Sequence, residues 1–207
     1  MIKLCVFDFD STLMDGETIT NLASVVGKSE EVREITRRAM EGELSFFEAL
    51  QERVKFLKGV KVKKAKEICD KLPFIEGAKD TIKYLKDKNI KVVVFSGGFH
   101  FATDVAKQKL GFDASFANHL DFEGENLTGR VGGEMMFDTS KGVILKELKS
   151  LLDLKKDEVM VVGDGANDIS MFKEAGLKIA FCAKEILKKK ADICIEKKDL
   201  REIKKYV

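Results

Sequence analysis

Val6-Phe7-Asp8-Phe9-Asp10-Ser11-Thr12 is the stretch that decides how this chain folds and where its chemistry sits. The residues leading into it, Ile2, Leu4, Cys5, Val6 and Phe7, form a short apolar run with β-branched and aromatic members, which suits a buried parallel strand. The run ends on two carboxylates one residue apart. Alternate residues of an extended chain point to the same side, so Asp8 and Asp10 can converge just past the strand's end. Ligands of open α/β sheets bind at that edge. Two carboxylates held together repel unless a cation or proton lies between them. The pair therefore asks for a hard metal, with Mg2+ the usual ion of phosphate chemistry. A calcium-binding loop starting at Asp8 is excluded, because Leu13 stands where it needs Gly and Ile19 where it needs Glu.

Downstream, residues 14–72 read as four helices with no intervening strand. Asp15 is placed to cap the first, Ser29 the second and Ser45 the third, and Pro73, the chain's only proline, marks the exit. From Pro73 onward helix and strand alternate, with strands expected at residues 90–95, 114–117, 158–162, 177–181 and 193–195. Residues 118–137 are Gly-rich and read as a hairpin excursion with turns near Gly124 and Gly132-Gly133. Ser140 is placed to cap a helix reaching residue 152. Strands separated by helices predict a doubly wound, parallel, Rossmann-like α/β sheet with right-handed crossovers. Residues 1–13 and 73–207 would form this core, and residues 14–72 a helical cap over its active edge.

At 207 residues the chain can bury a full α/β core with room for such an insert. Charged residues make up 35%, against roughly 25% in typical domains. Dense surface charge points toward a thermophilic source, while the scarcity of proline points away from one. The net charge of +2 comes from interleaved acids and bases, so no basic stripe suggests nucleic acid. No segment reaches membrane-span length, and the first strand begins where a signal peptide would lie. A cytoplasmic protein without a membrane or nucleic-acid partner is expected. Four cysteines lack metal-ligand spacing, and Cys5, Cys182 and Cys194 sit in apolar runs as small buried hydrophobes.

Three further groups fall at strand ends or helix starts. Ser96-Gly97-Gly98 follows a strand, where backbone N–H groups and the Ser96 hydroxyl can hold phosphate oxygens. Lys141 opens a helix, an end whose dipole disfavours a cation, which suggests that it points into a site holding anions. Gly163-Asp164-Gly165-Ala166-Asn167-Asp168 adds two acids where another strand stops. Asp164 is placed to ligate a metal, and Asp168 to orient Lys141 or a metal-bound water. In the helical insert Arg53 falls on the apolar stripe of Phe46, Leu50 and Leu57, and an inward guanidinium needs an anion. Glu17 lies near the mouth of the same site. Met40 and Phe46 sit in the segment that must face any substrate. No Walker A sequence is present.

Taken in order, Asp8-Phe-Asp-Ser-Thr12, Ser96-Gly-Gly, Lys141 and Gly-Asp164-Gly-Ala-Asn-Asp168 resemble the four motifs of the haloacid-dehalogenase-superfamily phosphatases. The resemblance spans essentially the whole chain. The insert with Glu17 and Arg53 is similar to the cap of members that act on O-phospho-L-serine. The resemblance implies Mg2+-dependent hydrolysis of that ester through an aspartyl-phosphate, the last step of serine biosynthesis. Asp8 would be the nucleophile and Asp10 the general acid and base. Asp8, the Asp10 backbone carbonyl and Asp164 would ligate Mg2+, with Asp168 behind them. Ser96, Gly97, Lys141 and Asn167 would hold the phosphoryl group, Glu17 the substrate ammonium and Arg53 its carboxylate, with Met40 and Phe46 lining the cap. The protein would be a monomer or homodimer. A same-fold phosphatase or phosphotransferase for another small phosphomonoester is a second reading. A receiver-like module phosphorylated on aspartate is a third, though such modules are shorter and lack a cap.

Overall fold

The computed structural model describes residues 1–40 and 43–207, the side chain of Met40 excepted. Its centre is β1 (Leu4–Asp8), all five residues of which are buried. β1 pairs in parallel with β2 (Lys91–Phe99) on one side and β5 (Val159–Gly163) on the other. With β3 (Ala114–Glu123), β4 (Asn126–Gly133), β6 (Leu177–Phe181) and β7 (Ile193–Ile195) they form a sheet of order β4-β3-β2-β1-β5-β6-β7 among the described residues. Only the β3–β4 pair within it is antiparallel. The order reverses at β1, which makes its C-terminal end the switch point of a doubly wound fold.

Side-chain alternation along the central strands feeds two cores. Leu4 and Val6 join Val93, Phe95, Val159 and Val161 on one face; Cys5 and Phe7 join Val92, Val94, Met160 and Val162 on the other. Both faces being covered explains why these strands read as continuous apolar runs rather than alternating ones. Behind them pack α5 (Ala78–Asp87), α6 (His100–Leu110), α7 (Ser140–Leu151), α8 (Ile169–Phe172) and α9 (Glu185–Lys188).

Between β1 and α5 lie α1 (Thr18–Ala23), α2 (Ser29–Met40), α3 (Phe46–Lys55) and α4 (Val62–Asp70). Ser45 and Glu48 form a reciprocal capping box at the start of α3. This helical insert is fastened to the β3–β4 hairpin by backbone bonds. Gly59 N and Val62 N donate to Leu127 O and Glu125 O at 2.8 Å, and Leu127 N donates to Val60 O at 2.9 Å. No helix of the described residues is long and apolar enough to cross a membrane.

Several local expectations are corrected. β2 does not end at residue 95 but runs on to Phe99, and β3 reaches Glu123 because the hairpin extends it. Gly132 and Gly133 make no turn; they pair with His119 and Asn118. Gly133, at φ +142°, brings its backbone so close to Asn118 that a Cβ would lie 2.7 Å from Asn118 Cα. Asp15 does not cap α1 but pairs with Lys198 at 2.5 Å, and Ser29 is already inside α2. Ser140 likewise lies inside α7, accepting from Phe137 N through its hydroxyl. Cys182 and Cys194 are exposed, because β6 and β7 lie toward the sheet's edge; Cys5 and Cys69 are buried.

The C-terminal 3-10 turn, Leu200–Tyr206, is anchored by Asp199, whose carboxylate accepts from Arg201 N at 3.0 Å and Arg201 Nε at 2.9 Å. Arg201 also pairs with Glu76, just ahead of α5. The bonds from Arg201 hold the Asp199 carboxyl well below the usual carboxylate range. A depressed native pKa contributes stability above the unfolded value of about 4 and loses it as pH falls further. Asp199→Asn is therefore expected to melt below the parent at pH 7, with the gap shrinking as pH drops below about 4; a pH series of thermal melts checks this.

Candidate active site

Asp8 is the last residue of β1, and its register partner on β2 is Phe95. Phe7 pairs with Val162 on β5, so the three strand ends carrying Asp8, Ser96-Gly97-Gly98 and Asp164 open onto one edge. Lys141, in the first turn of α7, reaches into this edge. Its Nζ lies 2.5 Å from Asp8 Oδ1 and 2.6 Å from Asp168 Oδ1, with the ammonium side chain only 4% exposed. Asp168 is fully buried, and its second oxygen accepts from Asp164 N and Gly165 N, both at 3.0 Å. One carboxylate thus fixes both the lysine and the backbone that presents Asp164.

Burial raises the Asp8 pKa, the Asp168 charge raises it further, and Lys141 opposes both. Burial likewise pushes Asp164 up to about 9, with Asp8 and Asp168 adding to the effect. Lys141 is itself pressed down by burial, but Asp168 and Asp8 outweigh this and hold it above the ordinary lysine value. Oxygens of Asp8, Asp164 and Asp168 all lie within 4.8 Å of one another. Such a set fits a hard divalent cation, which would relieve the repulsion that adds to the effect of burial on both groups. Because both Asp168 oxygens are already engaged, Asp8 and Asp164 are the carboxylates left to hold it.

Asp10 faces the same cavity but is held from the other side. Its Oδ1 accepts from Thr18 N at 2.8 Å and Thr18 Oγ1 at 2.5 Å, which satisfies an orphan donor at the start of α1. Burial pushes its pKa up to about 8, and the Glu17 charge adds to this. Glu17 accepts from Ser11 Oγ at 3.0 Å, and Ser11 takes a left-handed φ of +59° at the turn out of the acidic pair.

The cavity has a volume of about 710 Å³, and Asp8, Asp10, Glu17, Gly97, Asp164 and Asn167 are in its wall. Phe46 and Arg53 of the helical insert complete it. Phe46 covers Gly97 so closely that a Cβ there would lie 2.8 Å from the ring. Ser96 is fully buried beneath the wall, and its Oγ accepts from Gly98 N at 3.0 Å, which leaves the hydroxyl proton for an oxygen acceptor. Arg53 is 9% exposed and donates from Nε to Ala49 O at 3.0 Å and from Nη1 to Thr36 Oγ1 at 3.3 Å. Burial lowers its pKa, with Glu17 and Asp10 opposing. No carboxylate of the described residues lies within ion-pairing distance of it. The Met40 side chain, expected to line the cap, lies outside the described residues.

Two residues of the site escaped the sequence reading. Thr18 gives no signal, since its bond to Asp10 depends on how the turn closes. Asn118 gives little: it is an amide between Ala117 and His119 in β3. It is fully buried, donates from Nδ2 to Gly97 O and Met135 O at 3.1 Å, and accepts from Met135 N at 3.0 Å.

A buried aspartate at the end of the central strand, a lysine bridging it to a second aspartate, and a third on the adjacent strand define a phosphoryl-handling α/β hydrolase. The chain belongs to the haloacid dehalogenase-like hydrolases, whose family model matches residues 2–176. It is 62% identical over all 207 residues to the phosphoserine phosphatase of Campylobacter jejuni subsp. doylei, with both chains covered completely. Two solved structures are similar throughout, covering 100% of this chain and 99% of theirs. One is a phospho-aspartyl intermediate analogue of phosphoserine phosphatase, at 51% identity and a TM-score of 0.94. The other is a substrate-bound phosphoserine phosphatase complex, at 50% identity and a TM-score of 0.95.

A Cβ on Gly163 would overlap the Asp168 carboxylate. Gly163→Ala should therefore displace Asp168 and loosen Lys141. Misplacement of about 1 Å at such a centre costs about 100-fold, so a kcat loss of that order, with the fold retained by circular dichroism, is expected.

Proposed function

We propose that this protein is a phosphoserine phosphatase, releasing L-serine and phosphate from O-phospho-L-serine by way of a phosphorylated Asp8. The observation that carries the substrate is Arg53. A desolvated guanidinium with no carboxylate partner among the described residues faces the cavity that holds the phosphoryl-handling groups. Glu17 lies in the same wall, so one cavity offers a cation and an anion to the two charged ends of an amino acid. The identity to phosphoserine phosphatases, one of them solved with substrate, supports this reading.

Asp8 attacks phosphorus, and the ester oxygen of serine leaves. Asp10 gives that oxygen its proton. Its raised pKa keeps a proton available near neutrality, and the Thr18 bonds occupy Oδ1, which leaves Oδ2 as the transferring atom. The same oxygen then takes a proton from the water that hydrolyses the aspartyl-phosphate. Lys141, the Ser96 hydroxyl and the Gly97 N–H stabilise charge on the transferring oxygens, and Asn167 lies beside them. Mg2+ held by Asp8, Asp164 and the Asp10 carbonyl would neutralise the dianion that Asp8 must approach. Residues 14–72 act as the cap, with Phe46 closing over Gly97 to keep bulk water out.

The deciding experiment is phosphate release from O-phospho-L-serine, phosphothreonine, phosphoethanolamine and sugar phosphates, with Mg2+ and with EDTA. Mg2+-dependent preference for phosphoserine over phosphoethanolamine, which lacks the carboxylate, is expected. A flat profile would keep the phosphatase chemistry and overturn the substrate. Removing one partner of a buried charge pair costs about 2 kcal/mol or more. Arg53→Ala should thus lower kcat/KM for phosphoserine by about 30-fold or more and spare a generic aryl phosphate; equal losses on both would make Arg53 structural. Asp8→Asn should leave the melting curve intact and abolish turnover, and a variant retaining most activity would remove Asp8 as nucleophile.

A further inference from the structure

Away from the carboxylate centre, the chain's two histidines meet. His100 opens α6 and His119 lies in β3, yet their rings stack with centroids 4.4 Å apart and planes at 22°. Glu134 follows directly on β4, and its Oε2 lies 3.9 Å from His100 Nε2. Ligand atoms of His100, His119 and Glu134 all lie within 4.8 Å of one another. We propose that these three residues form a second metal site, one that takes a borderline-soft divalent ion such as Zn2+ rather than Mg2+.

The donor set argues for that class of ion. Two imidazoles and one carboxylate are the ligands of zinc sites with open positions for water, whereas Mg2+ takes oxygens and keeps its own waters. Zinc bonds of about 2.0–2.1 Å place tetrahedral ligand atoms about 3.3 Å apart, so the three side chains must draw inward. His119 and Glu134 are exposed and free to turn, while the ladder pairing His119 with Gly132 holds their backbones in register. His100 is the covered member, its side chain 19% exposed. Its Nδ1 lies 3.4 Å from Asp104 Oδ1, one helical turn on. With Nδ1–H donating to that carboxylate, Nε2, the nitrogen facing Glu134, is the one left to bind metal.

The position gives such an ion a structural consequence. His119 adjoins Asn118, and Glu134 adjoins Met135, the two residues whose amide bonds support Gly97 O and the end of the hairpin. An ion at this point staples the first turn of α6 to the base of the β3–β4 hairpin, three residues past Gly97.

The test is a Zn2+ titration in saturating Mg2+, read by long-range 1H–15N spectra of the imidazole nitrogens, which only two residues contribute. One equivalent of Zn2+ is expected to shift both histidines and to raise the melting temperature. By calorimetry, His119→Ala and Glu134→Ala should each weaken Zn2+ at least tenfold, and their melts without Zn2+ should match the parent. Three results would overturn the site: no Zn2+ binding, binding that leaves both imidazoles unmoved, or equal affinity in the parent and both variants. The last two would place the ion on the carboxylates of the catalytic centre instead.

Discussion

Lys141 lies between Asp8 and Asp168 with almost no contact with water, and the active edge is arranged around that ammonium. Moving a carboxylate out of water costs several kcal/mol even after relaxation, and this centre sets Asp8, Asp164 and Asp168 side by side. A single lysine leaves two negative charges uncompensated, which is the charge of one divalent cation. Such a cation would divide the work with the lysine: Lys141 fixes Asp8 through one oxygen, and Asp164 lies on the side where the cation would be held. Removing the lysine would leave the three carboxylates more highly charged than the interior tolerates. The fold supplies the arrangement through parallel register, since β1 lies between β2 and β5 and their ends open onto one edge.

A different electrostatic imbalance governs the helical insert. Arg53 is stripped of most of its water and bonded to one carbonyl and one hydroxyl, which compensates the guanidinium only partly. A guanidinium held this way in the cavity wall carries a standing attraction for an anion of the right reach. The insert is also held to the core by more than its two connections. Phe47 of α3 stacks on Phe137, which follows β4, at 5.3 Å and 12°. The stack and the Phe46–Gly97 contact are both apolar.

The doubly wound fold was readable because its signals are local. Short apolar strands stop at Asp8, and again ahead of Asp164, and each stop is written in consecutive residues. The features that escaped depend on partners distant in sequence. β2 continues to Phe99 because β3 and the hairpin lie beside it, and nothing in Ser96-Gly97-Gly98 announces that. Asp10, rather than Asp15, satisfies the start of α1, because the turn through Ser11 folds the acid back onto Thr18. Cys194 reads as buried in an apolar triplet, but β7 is an edge strand and presents it outward. Lys141 could be singled out only by a misfit with the helix dipole; its two aspartate partners lie 133 and 27 residues away.

Asn118 shows what the hairpin contributes beyond a sheet edge. Its amide holds the Gly97 carbonyl from one side and the Met135 backbone from the other, while the hairpin's far end is bonded to residues 59–62 of the insert. The Gly97 end of β2 and the helical insert are thus fastened to opposite ends of one two-stranded hairpin. Any motion of the insert that carries the hairpin with it pulls on the Gly97 backbone through Asn118, a buried amide whose bonds cannot be exchanged for water without cost. The Gly97 backbone and the helical insert are therefore connected through one hairpin, and the connection runs through backbone and one side-chain amide.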